Sequence, residues 1–211
     1  EKARTITSND IRPHKVLAEY YLRNKQLSKV APLITESQKI EPHDNALMLL
    51  QAKLQIAENQ NNKALSTLSE LITRSPNLLS ARTTLAEVYI KLDQTADARS
   101  QLDIVLEKQP YYLPALILSS SLELQTGDYV NAKIFAEKIQ KLKPDLHLGF
   151  ELAGDASMMK MDYLNARNSY TQALRHKQSS ELAIKLSETY ALSGRFEAAT
   201  KPLLTWLRDH P

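Results

Sequence analysis

The sequence predicts an all-α fold, a solenoid of about six helix–turn–helix units. Four prolines recur at intervals of 34 residues: Pro42, Pro76, Pro110 and Pro144. Alanines recur with the same spacing: Ala64, Ala98, Ala132 and Ala166. The chain has only 4 glycines and few β-branched runs, which favours helix over sheet. A period of this length indicates stacked helix pairs, each of which buries its apolar face on its neighbours.

The composition of the chain excludes several classes of protein. Of its 211 residues, 43% are hydrophobic, so the chain can bury a core and is not disordered. The 27 basic and 24 acidic residues leave a net charge of +3, which is too small to indicate nucleic-acid binding. No apolar run approaches the roughly 20 residues that span a bilayer. Without cysteine there is no disulfide framework and no thiolate metal site.

The period places the helices and the units. First helices are predicted near residues 12–25, 45–59, 79–92, 113–126, 147–160 and 180–193, and second helices near 28–40, 62–74, 95–108, 129–142, 163–175 and 196–209. The units are predicted at 11–44, 45–78, 79–112, 113–146, 147–179 and 180–211, after a tail at 1–10. Pro32 and Pro202 fall inside predicted second helices, so we expect a bend or an earlier break there.

A second pattern emerges when each unit is numbered so that its last proline is place 32. Place 8 is small in all six units: Ala18, Ala52, Ala86, Ser120, Gly154 and Ser187. Place 11 is tyrosine in three units: Tyr21, Tyr89 and Tyr190. With the prolines and alanines, this pattern resembles the tetratricopeptide repeat over about residues 11–211. The fourth unit departs from it at Ser119 and Glu123, and the usual tryptophan at place 4 is absent.

The resemblance implies a right-handed superhelix whose concave face is lined by first helices and binds a peptide. Family members often use places 2, 5, 9 and 12, which here predict fifteen partner-binding residues: Lys15, Glu19, Leu49, Lys53, Ile56, Thr83, Glu87, Ile90, Ile117, Ser121, Leu124, Glu151, Asp155, Met158 and Glu188. Place 9 forms a mostly acidic row, which favours a partner rich in lysine or arginine. The apolar row at places 5 and 12 is either helix-packing core or an exposed peptide-binding strip.

No pattern in the sequence indicates catalysis. The five histidines lie in different units and form no HExxH pair, and no glycine-rich phosphate loop is present. We therefore predict no catalytic residue, no cofactor and no metal site. The predicted function is a non-enzymatic scaffold that binds a protein segment in the concave groove. The alternative is the recognition arm of a larger enzyme whose catalytic domain lies outside this segment.

Two further expectations concern the setting and the last helix. Residues 17–23 and 203–211 resemble repeat-containing lipoproteins of bacterial exosortase (PEP-CTERM) and exopolysaccharide systems, which implies the periplasm or cell envelope, with the cytoplasm next. The last helix carries Leu203, Leu204, Trp206 and Leu207 with no polar capping helix after it. This surface serves self-association, or the chain is a fragment of a longer array. The need for a cap favours the fragment.

Overall fold

Twelve α-helices form the chain in the computed structural model, which describes residues 10–210. They are α1 (Arg12–Arg23), α2 (Val30–Ile40), α3 (Asn45–Ala57), α4 (Asn61–Arg74), α5 (Leu79–Lys91), α6 (Thr95–Lys108), α7 (Leu113–Thr126), α8 (Tyr129–Leu142), α9 (His147–Met159), α10 (Tyr163–His176), α11 (Ser180–Leu192) and α12 (Phe196–Asp209). None of the described residues forms a strand. The all-α repeat fold is therefore confirmed. The predicted tail, except for Asp10, lies outside the described residues.

The chain divides into two compact units, Glu1–Gln101 and Leu102–Pro211, and the division falls within α6. Unit one contains α1 to α5, and unit two contains α7 to α12. In each unit, an apolar cluster joins a second helix to the first helices on either side of it. One cluster of unit one contains Ala52 of α3, Leu68 of α4 and Leu85 of α5. A cluster of unit two contains Tyr170 of α10 and Leu186 of α11.

The turn inside every helix pair has the same backbone conformation. Place 15 has a positive φ of 56° to 86° in all six units: Lys25, Asn59, Asp93, Gly127, Met161 and Gly194. Glycine adopts this left-handed conformation without steric cost, whereas a side chain such as Lys25 or Met161 does not. The repeat therefore imposes one turn geometry in every unit. In two units only, glycine avoids the steric strain of this conformation.

Small residues at place 8 let the two helices of a pair approach closely. Ala52 and Ala86 are fully buried, and the hydroxyl of Ser120 donates a hydrogen bond to the carbonyl of Ala132 at place 20 (2.8 Å). In the fifth pair, Gly154 faces the ring of Tyr170, and a Cβ added there would lie 2.5 Å from Cε1. The large ring at place 24 therefore requires glycine at place 8 in this pair.

The two prolines of the second helices behave differently. The helix containing Pro32 begins only at Val30, so this proline lies in its first turn, where its missing N–H has no helical partner to lose. The earlier break predicted there is confirmed. In contrast, α12 continues through Pro202 to Asp209, so of the bend or break expected at this proline the break does not occur.

Candidate functional site

Three successive first helices of unit one line a common cleft. Glu19 of α1, Lys53 of α3 and Glu87 of α5 all occupy place 9 and all lie on it. The cleft has a volume of about 480 Å³. Its lining residues are Glu19, Leu22, Arg23, Lys53, Ile56, Ala57, Asn59, Glu87 and Lys91. The structure thus brings together four of the predicted site residues: Glu19, Lys53, Ile56 and Glu87.

The cleft has an apolar floor and charged walls of both signs. Ile56 is only 6% exposed and belongs to the core, so it contributes to the floor while packing the helices. Leu22 also packs on a core cluster from the cleft side. Both interpretations of the apolar row, helix-packing core and binding strip, apply to Ile56, because its side chain packs in the core and also lines the cleft.

Arg23 and Lys91 are cleft residues that the sequence analysis missed. Both stand at place 13, one helical turn after the glutamates at place 9. Arg23 Nη2 lies 3.8 Å from Glu19 Oε1 across this turn. The cleft thus carries three positive charges, from Arg23, Lys53 and Lys91, and two negative charges, from Glu19 and Glu87. It is therefore not mostly acidic. The signal was present, because a glutamate followed four residues later by a basic residue shares one helix face.

The other predicted residues of unit one lie outside the cleft lining. Lys15 Nζ pairs with Asp44 Oδ2 at 3.1 Å. Thr83 is buried and donates its hydroxyl to the carbonyl of Leu79. Leu49 packs against the core, and Ile90 is half-buried in the last turn of α5. These side chains hold the helices together or stand beside the cleft.

Asp44 is tied into the fold by two contacts. Its carboxylate caps α3 by accepting a hydrogen bond from Leu47 N (2.8 Å) and pairs with Lys15. Burial raises the pKa of Asp44, but the hydrogen bond from Leu47 and the charge of Lys15 outweigh it, so the pKa falls below 3.8. A lowered pKa contributes stability that is present above the unfolded value and is lost as the pH falls through the folded value.

We expect Asp44→Asn to lower the free energy of unfolding by about 0.5–1 kcal/mol at pH 7, because asparagine keeps the cap but loses the ion pair. Below about pH 4 the difference should shrink, because Asp44 becomes protonated in the unfolded chain and then in the folded chain. Urea unfolding followed by circular dichroism at pH 7 and pH 2.5 measures it. Lys15→Met is the matched control. It should lower the free energy of unfolding of the wild-type chain but not that of Asp44→Asn, which has already lost the ion pair. A difference of equal size at both pH values would contradict this assignment.

In unit two, two of the three predicted acidic residues are paired within the chain. Lys185 Nζ of α11 donates to Glu151 Oε1 (2.8 Å) and Asp155 Oδ1 (3.0 Å), both on α9. The hydroxyl of Tyr170 donates to the same Asp155 oxygen at 2.7 Å. Glu151 and Asp155 are therefore engaged by Lys185, which stands next to place 5 of α11 and which the sequence analysis did not select.

The pKa values of this cluster follow from burial and charge. Burial lowers the pKa of Lys185, but the hydrogen bonds and charges of Glu151 and Asp155 outweigh it and raise the pKa above 10.5. Burial raises the pKa of Tyr170, and the neighbouring Asp155 carboxylate adds to the effect. Both groups therefore stay protonated well beyond neutral pH, and the cluster serves as a structural tie between α9, α10 and α11.

The remaining predicted residues of unit two lie at different depths. Ile117, Leu124 and Met158 pack partly buried against core clusters, whereas Ser121 and Glu188 are exposed. A second cavity of about 290 Å³ between α10, α11 and α12 has Leu174, Leu186 and Trp206 in its lining and none of the predicted site residues.

The described residues contain neither a cluster of metal-ligating side chains nor a membrane-spanning helix. Within residues 10–210, no three histidine or carboxylate side chains come close enough together to hold a metal ion. No helix in the described part of the chain is both long and apolar enough to cross a bilayer.

Comparisons with known proteins show what the repeat is similar to. A family model described as the tetratricopeptide repeat protein 21 ARM repeat matches residues 1–102. No curated protein matches the chain by sequence. A tetratricopeptide repeat protein from Parabacteroides merdae is 14% identical with a TM-score of 0.71, over 94% of this chain and 79% of that one.

Two further solved structures are also similar to this chain. PilW, a type IV pilus biogenesis factor, is 15% identical with a TM-score of 0.81, over 91% of this chain and 90% of that one. Pseudomonas aeruginosa pilF is 14% identical with a TM-score of 0.78, over 95% of this chain and 92% of that one. The resemblance to tetratricopeptide repeats is confirmed. At these identities the likeness shows the fold and does not transfer a partner.

Proposed function

We propose that this chain, which has the tetratricopeptide-repeat fold, is a non-enzymatic scaffold that binds a segment of another protein in the cleft of unit one. The observation that carries the proposal is the meeting of Glu19, Lys53 and Glu87, from three successive first helices, over the floor made by Leu22 and Ile56. A cleft volume of about 480 Å³ lies within the usual range for pockets that bind ligands.

The walls of the cleft suggest what the bound segment carries. Arg23, Lys53 and Lys91 would attract carboxylates, and Glu19 and Glu87 would attract lysine or arginine. The apolar floor would take a leucine-sized or isoleucine-sized side chain. The partner is therefore a polypeptide segment with an apolar residue flanked by charges of both signs, rather than the purely basic segment that place 9 alone would favour.

The lining also favours binding over chemistry. Its nine described residues include no histidine, cysteine, serine or threonine, the residue types that most often form a pair of nucleophile and general base. The charged groups stand on long side chains at the rim, where they orient a partner and speed its association more than they strengthen its binding. Binding energy would come mainly from burial of the apolar residue, at about 25 cal/mol per Å².

The test starts from a display library of random twelve-residue peptides selected on the chain. Titration calorimetry of the selected peptides should show binding that Lys53→Glu and Glu87→Lys each weaken by about tenfold, which is about 1.4 kcal/mol. Glu188→Lys is the matched control, because Glu188 also occupies place 9 but lies in unit two, outside the cleft. It should leave the affinity within about twofold.

Two outcomes would overturn the proposal. The first is a library from which no peptide is selected. The second is a set of selected peptides whose affinity is unchanged by both cleft variants or falls equally with Glu188→Lys. Circular dichroism of each variant should show unchanged helix content, because none of the three side chains belongs to an apolar cluster.

We further propose that the bound segment belongs to a bacterial envelope assembly. Support comes from the resemblance of residues 17–23 and 203–211 to envelope lipoproteins and from the likeness in fold to PilW, a type IV pilus biogenesis factor. Fractionation of the native host with an antibody against the chain should recover it with the envelope. Recovery with the cytosol would contradict this setting but would leave the cleft untouched.

A further inference from the structure

The cleft of unit one carries its charges in a fixed order. Place 9 supplies Glu19 of α1, Lys53 of α3 and Glu87 of α5. Helix α3 contacts both α1 and α5, so the charges of this row run negative, positive, negative. Helices that pack against each other lie about 8–10 Å apart. Successive charges of alternating sign therefore stand at steps of about 8–10 Å along the cleft.

The surface that carries this row is open in every unit. Place 9 is exposed or half-buried in all six first helices: Glu19, Lys53, Glu87, Ser121, Asp155 and Glu188. Its openness is therefore a property of the repeat, which α1 shares with the helices that have neighbours on both sides.

The central lysine of the row lacks a counter-charge among residues 10–210. The side chain of Lys53 is half-buried and forms no ion pair or hydrogen bond with any of these residues. One turn away on its own helix stand Leu49 and Ala57, which carry no charge. A partly desolvated charge gains from a ligand of opposite sign. Lys53 therefore favours a carboxylate on the bound segment.

The two glutamates of the row are open to a cation. Within the described part of the chain, the Glu87 side chain forms no ion pair or hydrogen bond. Glu19 has Arg23 at 3.8 Å, but these side chains are 50% and 79% exposed. An exposed pair of this kind contributes little, so a lysine or arginine of the ligand can replace Arg23. The order that complements the row is therefore positive, negative, positive.

The step of the row selects the conformation of the bound segment. A polyproline II helix brings every third residue to one face at intervals of about 9.3 Å, which matches the step. A β-strand presents same-face residues at about 6.8 Å and then about 13.6 Å, and neither distance matches. An α-helix reaches about 10.5 Å with every seventh residue, but across three first helices it fills roughly 1,200 Å³. The cleft has only about 480 Å³.

We propose that the cleft recognises a polyproline II segment with a basic, an acidic and a basic residue at every third position. The acidic residue lies on Lys53, and the two basic residues lie on Glu19 and Glu87. The residues between the charges supply the apolar side chain for the floor. This inference rests on the proposed binding of a segment in the cleft and adds to it the charge order, the spacing and the backbone conformation.

The test uses synthetic peptides with acetylated and amidated ends, so that terminal charges do not contribute. In titration calorimetry, Lys-Pro-Leu-Glu-Pro-Leu-Lys should bind the wild-type chain at least about tenfold more tightly than either of two controls. Lys-Leu-Glu-Pro-Lys-Pro-Leu has the same composition with its charges at every second position. Glu-Pro-Leu-Lys-Pro-Leu-Glu has the right spacing with the signs reversed.

A charge swap tests which residue meets the lysine. Lys53→Glu should weaken binding of the first peptide by about tenfold. It should bind Lys-Pro-Leu-Lys-Pro-Leu-Lys at least about tenfold more tightly than the wild-type chain does. Lys160→Glu is the matched control, because it changes the net charge equally at an exposed lysine outside the cleft. It should show neither effect.

The outcomes separate this inference from the proposal on which it rests. Suppose that library peptides bind and lose affinity with Lys53→Glu, but the first designed peptide binds no better than its two controls. The cleft then binds segments, and the charge order and spacing are wrong. A charge swap that Lys160→Glu reproduces also overturns the register. If neither library nor designed peptides bind, the proposed function and this inference fail together.

Discussion

Tyr170→Ala is expected to lower the free energy of unfolding by about 3–5 kcal/mol, the range for removing a large buried aromatic side chain. Tyr170 is 2% exposed and lies in the cluster that joins α10 to α11. Truncation leaves a cavity against Gly154 and removes the hydroxyl that donates to Asp155 at 2.7 Å. Urea unfolding followed by circular dichroism at 222 nm measures the loss.

Two companion variants separate the contributions. Tyr170→Phe keeps the ring and loses only the hydrogen bond, so it should cost about 1 kcal/mol. Gly154→Ala should cost about 1–3 kcal/mol in the wild type, because its Cβ would collide with the Tyr170 ring. In the Tyr170→Ala background the same substitution should cost nothing or stabilise the chain, because the ring is gone. Additive effects would refute the packing of glycine on tyrosine.

Lys185→Met is expected to lower the free energy of unfolding by about 1–2 kcal/mol at pH 7, because it leaves two carboxylates together without their cation. Glu151 and Asp155 remain 16% and 26% exposed, so water compensates in part and the loss stays below that of a fully buried pair. Lys160→Met is the matched control on an exposed lysine and should change little. If both variants lower the free energy of unfolding by the same amount, the Lys185 cluster does not stabilise the fold.

The same cluster predicts how stability changes at alkaline pH. The raised pKa of Lys185 contributes stability that is fully present below about 10.5, the unfolded value, and is lost as the pH rises through the folded value. Tyr170 acts in the same direction above its unfolded value of 10.0. Unfolding midpoints of the wild-type chain should therefore fall between pH 10 and 12 more steeply than those of Lys185→Met with Tyr170→Phe.

The fold was readable from the chain because repetition multiplies a weak signal. A single small residue at place 8 says little, but Ala18, Ala52 and Ala86 recur with the prolines and predict the same helix crossing. The turn at place 15 was harder to predict, because Lys25 and Met161 are poor left-handed residues. Pro202 likewise lies inside a continuous helix, because the packing of the pair outweighs the local preference of proline to end a helix.

The candidate site was partly readable. Places 9 and 12 selected Glu19, Lys53 and Ile56, which do share one cleft. Position in the repeat could not reveal which charges have partners inside the chain. Lys15 pairs with Asp44, and Lys185 pairs with Glu151. These partners are separated by 29 and 34 residues in the sequence.

The order of residues alone was sufficient to specify how many helices form, where they begin and which face of each is apolar. These features depend on neighbours within one helix pair, and the pair repeats. The charge of the cleft and the ion pairs of Glu151 and Asp155 with Lys185 depended on the folded molecule. Each of these features requires side chains from different helices to come together. The distances between such side chains are set by helix packing rather than by their spacing along the chain.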